Sequence, residues 1–307
     1  MTLAPLLVIV GPTASGKTEV ALRLAERIGA EIISADSVQV YRGLDIGSAK
    51  PTVAEQAHVR HHLLDVAEPD EQFDAARFRT LAAEAIADIQ GRGKAVVVAG
   101  GTGLYIRALL GGLFQSPPKD PALRLALTQE ARQRGRESLW QRLAEIDPAA
   151  ARRIHPRDLV RVIRALEVSA LAGRPLSQLQ AEHGFGERPY RYVKIGLLVE
   201  RPELYRRIEE RVGVMLAAGW LDETRRLLER HGPAVRALQA LGYFRLVACL
   251  QGRLSIEEAR RQIVIDTRRY AKRQLVWFRA DPEITWLRPD DPQIIGKAEE
   301  LLAGRSG

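Results

Sequence analysis

The sequence predicts an α/β fold: a parallel sheet covered by helices on both faces, with a small all-α insertion placed inside it. Three observations carry this. Short apolar runs alternate with helical periodicity, a glycine loop joins the first run to the first helix, and a long central stretch has helical spacing without a convincing strand. A chain of 307 residues can hold a full α/β core and a smaller second domain.

The elements follow in order. Leu6 to Val10, within the apolar run Leu3 to Val10, reads as the first strand, and Thr18 to Ile28 has helical spacing through Ala21, Leu22, Leu24 and Ala25. Glu31 to Ser34 and Ala95 to Ala99 read as the next strands, with an amphipathic helix from Ala75 to Ile89 between them. Pro117, Pro118 and Pro121 then interrupt the chain, and residues 118–190 read as helices only. Within them Asp158 is placed to N-cap a helix with the apolar face Leu159, Val162, Ile163 and Leu166, ending at Gly173, and a short helix follows Leu176. Tyr192 to Val199 resumes the sheet, Pro202 opens a helix towards Met215 and Leu216, and Ser255-Ile256-Glu257-Glu258 caps a long closing helix that reaches Arg279. Residues 1–117 and 191–307 are expected to form the catalytic core, and 118–190 the insertion.

Composition narrows the partners. Lys and Arg number 46 against 38 Asp and Glu, a formal charge of +8 that favours polyanions. Cys249 is the only cysteine, which excludes an intrachain disulfide and a thiolate zinc site and leads to the expectation of a reducing, cytoplasmic setting. His58, His61 and His62 lack the spacing of a metal site, so no zinc is expected. No apolar stretch approaches the ~20 residues of a membrane span, and no exposed apolar heptad argues for anything but a monomer.

The chemistry begins at Gly11-Pro12-Thr13-Ala14-Ser15-Gly16-Lys17-Thr18, which fits G-x-x-x-x-G-K-[ST] between a strand and a helix and makes the fold P-loop NTPase-like. Such a loop turns backbone N–H groups and the positive end of a helix towards phosphate, while Lys17 reaches terminal oxygens and Thr18 can ligate Mg²⁺. A hydrolase would place a metal-binding acid after the strand Ala95 to Ala99. Here the strand runs into Gly100-Gly101-Thr102-Gly103-Leu104-Tyr105 with no carboxylate. The acid instead follows the second strand, as Asp36, on the same rim of the sheet, where it can accept a proton from an amine or hydroxyl. Arg157, Arg161 and Arg164 recur at spacings of four and three, a ladder suited to phosphates. Arg268, Arg269, Lys272 and Arg273 form a second basic cluster, interleaved with Tyr270, Trp277 and Phe278, whose rings are expected to pack in the core.

Taken together and in order, these strings resemble bacterial tRNA dimethylallyltransferase, also called tRNA isopentenyltransferase, over nearly the whole chain. The resemblance rests on the loop with Thr13, Asp36-Ser37-Val38-Gln39-Val40-Tyr41, Asp45-Ile46-Gly47-Ser48-Ala49-Lys50-Pro51, His61-His62-Leu63-Leu64-Asp65 and Gly100 to Tyr105. It continues through Arg152-Arg153-Ile154-His155-Pro156, Arg164-Ala165-Leu166-Glu167, Leu241-Gly242-Tyr243 and Thr267-Arg268-Arg269-Tyr270-Ala271-Lys272-Arg273-Gln274. It implies transfer of a dimethylallyl group from its diphosphate to N6 of the adenosine at tRNA position 37, next to the anticodon. Asp36 matches the family's catalytic base, and Lys17, Thr102 and Arg201 match residues of the catalytic apparatus. Gly11 to Thr18 and Arg207 match its diphosphate site. Asp36, Ser37, Val38, Gln39, Thr102, Arg124, Arg157, Leu159, Val160, Arg161, Val162, Ile163 and Arg164 match positions that meet the anticodon stem-loop. A nucleoside or nucleotide kinase, or a prenyltransferase acting on free adenylate, would use the same loop on a small substrate. A nucleotide-gated RNA-binding protein would give Asp36 no chemical task.

Overall fold

The structure, a computed structural model, describes residues 5–114 and 116–304, so Leu3 and Ala4 of the first apolar run lie outside the described residues. The chain divides into two compact units, Met1–Leu110 with Pro189–Gly307, and Gly111–Arg188. The second unit therefore starts and stops somewhat before the 118–190 expected from the prolines.

In the first unit the chain runs β1 (Leu6–Val10), α1 (Lys17–Ile28), β2 (Glu31–Ser34), α2 (Val53–His58), β3 (His61–His62), α3 (Ala75–Gly91), β4 (Val96–Gly100) and α4 (Gly103–Gly111). The second unit holds α5 (Pro121–Arg134), α6 (Arg136–Ile146), α7 (Pro148–Arg153), α8 (Leu159–Ala172) and α9 (Leu176–His183). The first then resumes with β5 (Tyr192–Leu197), α10 (Arg201–Ala217), α11 (Trp220–His231), a 3₁₀ turn at Arg236–Gln239, α12 (Tyr243–Leu250), α13 (Ile256–Arg279), β6 (Ile284–Leu287) and α14 (Ile294–Ala303).

Among the described residues six strands form one parallel sheet in the order β3-β2-β4-β1-β5-β6. Every residue of β1 and β5 is buried, as strands covered on both faces require. The register pairs Val10 with Gly100 and with Gly196, and Ser34 with Ala99. The carboxyl ends of β1, β2 and β4 are therefore level, and the loops that leave them share one rim. On one face Leu7, Ile9, Val97 and Ile195 pack with Val20 and Leu24 of α1 and Ile294 and Ala298 of α14.

Several boundaries differ from the expectations. The strand expected from Tyr192 to Val199 stops at Leu197, and α13 does not close the chain: β6 and α14 follow it. β3 has two residues and β6 four, both at sheet edges, too short for periodicity to register. His61 and His62 form β3: His61 Nδ1 lies 2.8 Å from Val59 O and His62 Nε2 2.7 Å from Glu31 Oε2.

Each unit has a buried carboxylate that ties its own segments. Glu31, at the start of β2, is paired with Arg92, Lys94 and His62. Hydrogen bonds from Arg92 outweigh burial and hold its carboxyl well below the usual range, with Lys94 and His62 adding to the effect. In the helical unit Glu167, wholly buried, accepts from Arg124 Nε at 2.7 Å, Arg164 Nη1 at 2.5 Å and the Asp120 N–H at 2.8 Å. Burial pushes its pKa up, but the two arginines win and hold it down at about 2. Around this ion cluster Leu139, Leu143, Val162, Ile163 and Leu166 form the unit's core.

Glu31→Gln removes a stabilisation that is fully present above the unfolded carboxyl's pKa and is lost progressively as pH falls from there through the much lower folded value. Because solvent reaches Arg92 and Lys94, the expected loss is modest, about 2 kcal/mol at pH 7. Urea denaturation should show the full loss at pH 7 and a smaller but still measurable one near pH 3, because the lowered folded pKa keeps Glu31 charged there.

Candidate active site

The phosphate loop leaves β1 at the level rim and turns into α1. Ala14 adopts φ 63°, a region few non-glycine residues occupy, and such strain is characteristically held at ligand loops. Lys17 Nζ folds onto Pro12 O at 2.7 Å, and Ser15 Oγ is buried with no hydrogen-bond partner among the described residues. One side chain ties this loop to the loop after β4. Gln274, from α13, accepts the Thr13 N–H at 2.8 Å through Oε1 and donates to Gly101 O at 3.0 Å through Nε2. A Cβ at position 101 would overlap that amide, so the approach requires glycine there.

The loop after β2 docks on the same rim. Thr102 Oγ1 accepts the Ser37 N–H at 3.1 Å, and Thr102 N–H donates to Ala35 O at 3.2 Å. Asp36 Oδ1 accepts the Val38 N–H at 2.8 Å, which fixes its carboxylate against its own turn. Further along, Glu223 of α11 accepts the N–H groups of Asp45, Ile46 and Gly47 and the Tyr243 hydroxyl at 2.7 Å, anchoring the segment that continues into the cavity wall at Gly47 to Ala49.

These loops enclose a cavity of about 440 Å³ whose wall includes Thr13, Lys17, Thr18, Asp36, Arg211 and Tyr270. Ile208, Arg211, Val212 and Met215 line it at the three- and four-residue spacing of one helix face, so apolar surface runs along α10 directly beside a cation. Arg211 makes no ion pair or hydrogen bond among the described residues, and burial lowers its pKa while the Asp36 charge opposes that. Lys17 is brought down to about 7 by burial first, then by the repulsion of Arg211, with Asp36 again opposing. Two cations held against their own electrostatics, neither of them ion-paired among the described residues and with Asp36 the nearby carboxylate, describe a seat for an anionic ligand. Burial, then the Asp36 charge, pushes the Tyr270 phenol up, so it remains a neutral donor.

The structure brings Thr13, Ala14, Lys17, Thr18, Asp36, Ser37, Val38 and Gln39 to this cavity. Gly11, Pro12, Ser15 and Gly16 shape the loop, and Thr102 braces Ser37. Neither arginine expected near the phosphates is among the residues lining the cavity: Arg201 packs on the Tyr205 ring at 5.2 Å, and Arg207 pairs with Glu203 at 2.7 Å. Arg211, one helical turn beyond Arg207, lines the cavity instead; its spacing from Ile208 and Met215 was the available signal. In the helical unit Arg157, Val160 and Arg161 are exposed and Leu159 is half-buried, whereas the side chains of Val162 and Ile163 are core. Arg124 and Arg164 pair with Glu167 while remaining partly exposed, whereas Arg157 and Arg161 form no ion pair with it among the described residues. On α13 Phe278 is buried, but Trp277, expected in the core, is exposed.

A parallel sheet with a phosphate loop at its carboxyl rim, opening on a cavity with unpaired cations, one carboxylate and an apolar wall, defines a P-loop-type α/β transferase. The profile of the family described as IPP transferase matches residues 39–281, and the chain belongs to that family. It is 54% identical to a tRNA dimethylallyltransferase of Geobacter metallireducens, over 97% of this chain and 95% of that one. With the corresponding protein of Anaeromyxobacter dehalogenans it is 51% identical, over 96% and 99%. Among solved structures, the tRNA isopentenylpyrophosphate transferase of Bacillus halodurans superposes with a TM-score of 0.72 at 40% identity, covering 99% of this chain and 96% of that one. A eukaryotic dimethylallyltransferase acting on tRNA superposes with a TM-score of 0.80 at 26% identity, covering 97% and 77%.

Lys17 links anion binding to pH. A bound diphosphate raises its pKa, so its contribution to affinity is full below about 7 and is lost as pH rises towards the value in the complex. Calorimetric titration with inorganic diphosphate at pH 8, in two buffers of different ionisation enthalpy, should show proton uptake larger by nearly one for the parent than for Lys17→Met.

Proposed function

We propose that this chain transfers a dimethylallyl group from dimethylallyl diphosphate to N6 of the tRNA adenosine next to the anticodon, releasing diphosphate. The observation that carries the reading is the composition of one cavity: it is lined by the phosphate loop, by unpaired Arg211 and the apolar face of α10, and by Asp36. A prenyl diphosphate needs both a cationic and an apolar seat. A kinase acting on a small nucleoside has no use for the latter.

An adenine N6 is a weak nucleophile because its lone pair is delocalised into the ring. In the proposed step the N6–C1 bond forms as the C1–O bond breaks, the bonding pair leaves with the diphosphate, and the N6 proton passes to the Asp36 carboxylate. Lys17, Arg211 and the loop N–H groups receive the charge that develops on the leaving oxygens. The cavity offers Thr18, whose hydroxyl is a hard oxygen donor of the kind Mg²⁺ takes together with substrate phosphates. Bound there, Mg²⁺ would neutralise diphosphate charge. Exposed Arg157 and Arg161 on the helical unit are assigned to phosphates of the anticodon stem. The enzyme is taken to act as a monomer in the cytoplasm, where unmodified tRNA meets the donor.

Incubation with Mg²⁺, labelled dimethylallyl diphosphate and unmodified tRNA should place label in the tRNA; phosphate transfer from ATP to a nucleoside, with no label in RNA, would overturn the reading. Asp36→Asn should lower single-turnover transfer by about 10²- to 10⁴-fold while leaving stem-loop affinity near the parent value, and an unchanged rate would remove Asp36 as the base.

A further inference from the structure

α13 carries its cavity-side residues out to the surface. Thr267, Tyr270 and Gln274 line the cavity, and Trp277 follows Tyr270 by seven positions and Gln274 by three, so the same helix face continues beyond the cavity wall. There the indole is 43% exposed. Its edge lies on Gly103, the residue after Thr102: a Cβ at 103 would overlap indole Nε1 and Cδ1. Arg107, one turn along α4, has its guanidinium carbon 6.0 Å from the ring centroid. Arg273, one turn before Trp277, is exposed and lies 5.7 Å from the Tyr270 ring. Leu104, 46% exposed, widens the apolar surface.

A large flat ring left open to solvent, seated on a backbone that only glycine permits and flanked by two arginines, suits one class of partner. Single-stranded RNA supplies both a π-face for the indole and phosphates for the cations. Drawing one base out of a loop into an enclosed cavity uncovers the faces of its neighbours, and a ring at the rim returns the lost stacking. We propose that Trp277 is a stacking platform for the nucleobase adjacent to the one that enters the cavity, with Arg107 and Arg273 beside the intervening phosphates. The proposal rests on the tRNA reading given above. It makes Trp277 a positioning residue that touches RNA without touching the reacting atoms.

The test uses the full chain, an unmodified anticodon stem-loop and the variants Trp277→Ala, Trp277→Phe and Trp277→Leu. Label transfer by the parent checks the underlying reading separately, and its absence would sink that reading whatever the variants do. Given transfer, Trp277→Ala should weaken stem-loop binding about tenfold and raise its KM with a smaller effect on kcat. Trp277→Phe should recover most of the loss and Trp277→Leu little of it, while inorganic diphosphate binds all four proteins alike. A stem-loop made abasic beside the target adenosine should bind the parent and Trp277→Ala equally. Unchanged stem-loop affinity in Trp277→Ala, or full recovery by leucine, overturns the platform.

Discussion

The active site depends on one buried amide. Gln274 satisfies the Thr13 N–H of the phosphate loop and the Gly101 carbonyl of the loop after β4, two backbone groups on separate loops. An amide can accept on one side and donate on the other; a carboxylate could not donate, and an ammonium could not accept. Its neutrality matters equally, because it spans the two loops without adding charge to a place where Lys17 and Arg211 already repel each other. Gly101, Thr102 and through them Ser37 and Asp36 take their positions from this bridge.

The protein sorts its charges by task. Glu31, Glu167 and Glu223 are buried and spent on holding chain segments: strand starts in the first case, two helices in the second, the Asp45 to Gly47 backbone in the third. Each has hydrogen bonds enough to offset the desolvation of its carboxylate. The cavity follows the opposite rule, leaving Lys17 and Arg211 without an ion-pair partner among the described residues. Structural carboxylates stay away from the phosphate seat, so that an incoming anion meets unspent charge.

What the sequence made legible was local. Asp158 accepts the Arg161 N–H at the start of α8, Gly173 ends that helix at φ 66°, and Ser255 accepts the Glu258 N–H at the start of α13, all signalled by short-range chemistry. The phosphate loop and the rim position of Asp36 were equally readable, because strand ends dictate them. What stayed hidden needed tertiary information. Arg164 and Glu167 are three apart, but the commitment of Arg124 to the same carboxylate depends on a helix 43 residues upstream. Arg201, Arg207 and Arg211 lie on one helix, and only the orientation of α10 decides which one reaches the cavity. Periodicity placed Trp277 in the core because it treats every large ring near an apolar stripe as buried.

The helical unit separates what it needs for folding from what it offers to solvent. On α8, Val162, Ile163 and Leu166 point inward and Arg164 is bound to Glu167, while Val160 and Arg161 stand outside and carry almost none of the unit's cohesion. Exchanges at the outer positions therefore leave the fold nearly as stable as before. A lineage can drift through many outer surfaces on one unchanged scaffold, and the outer face is free to diverge faster than the core beneath it.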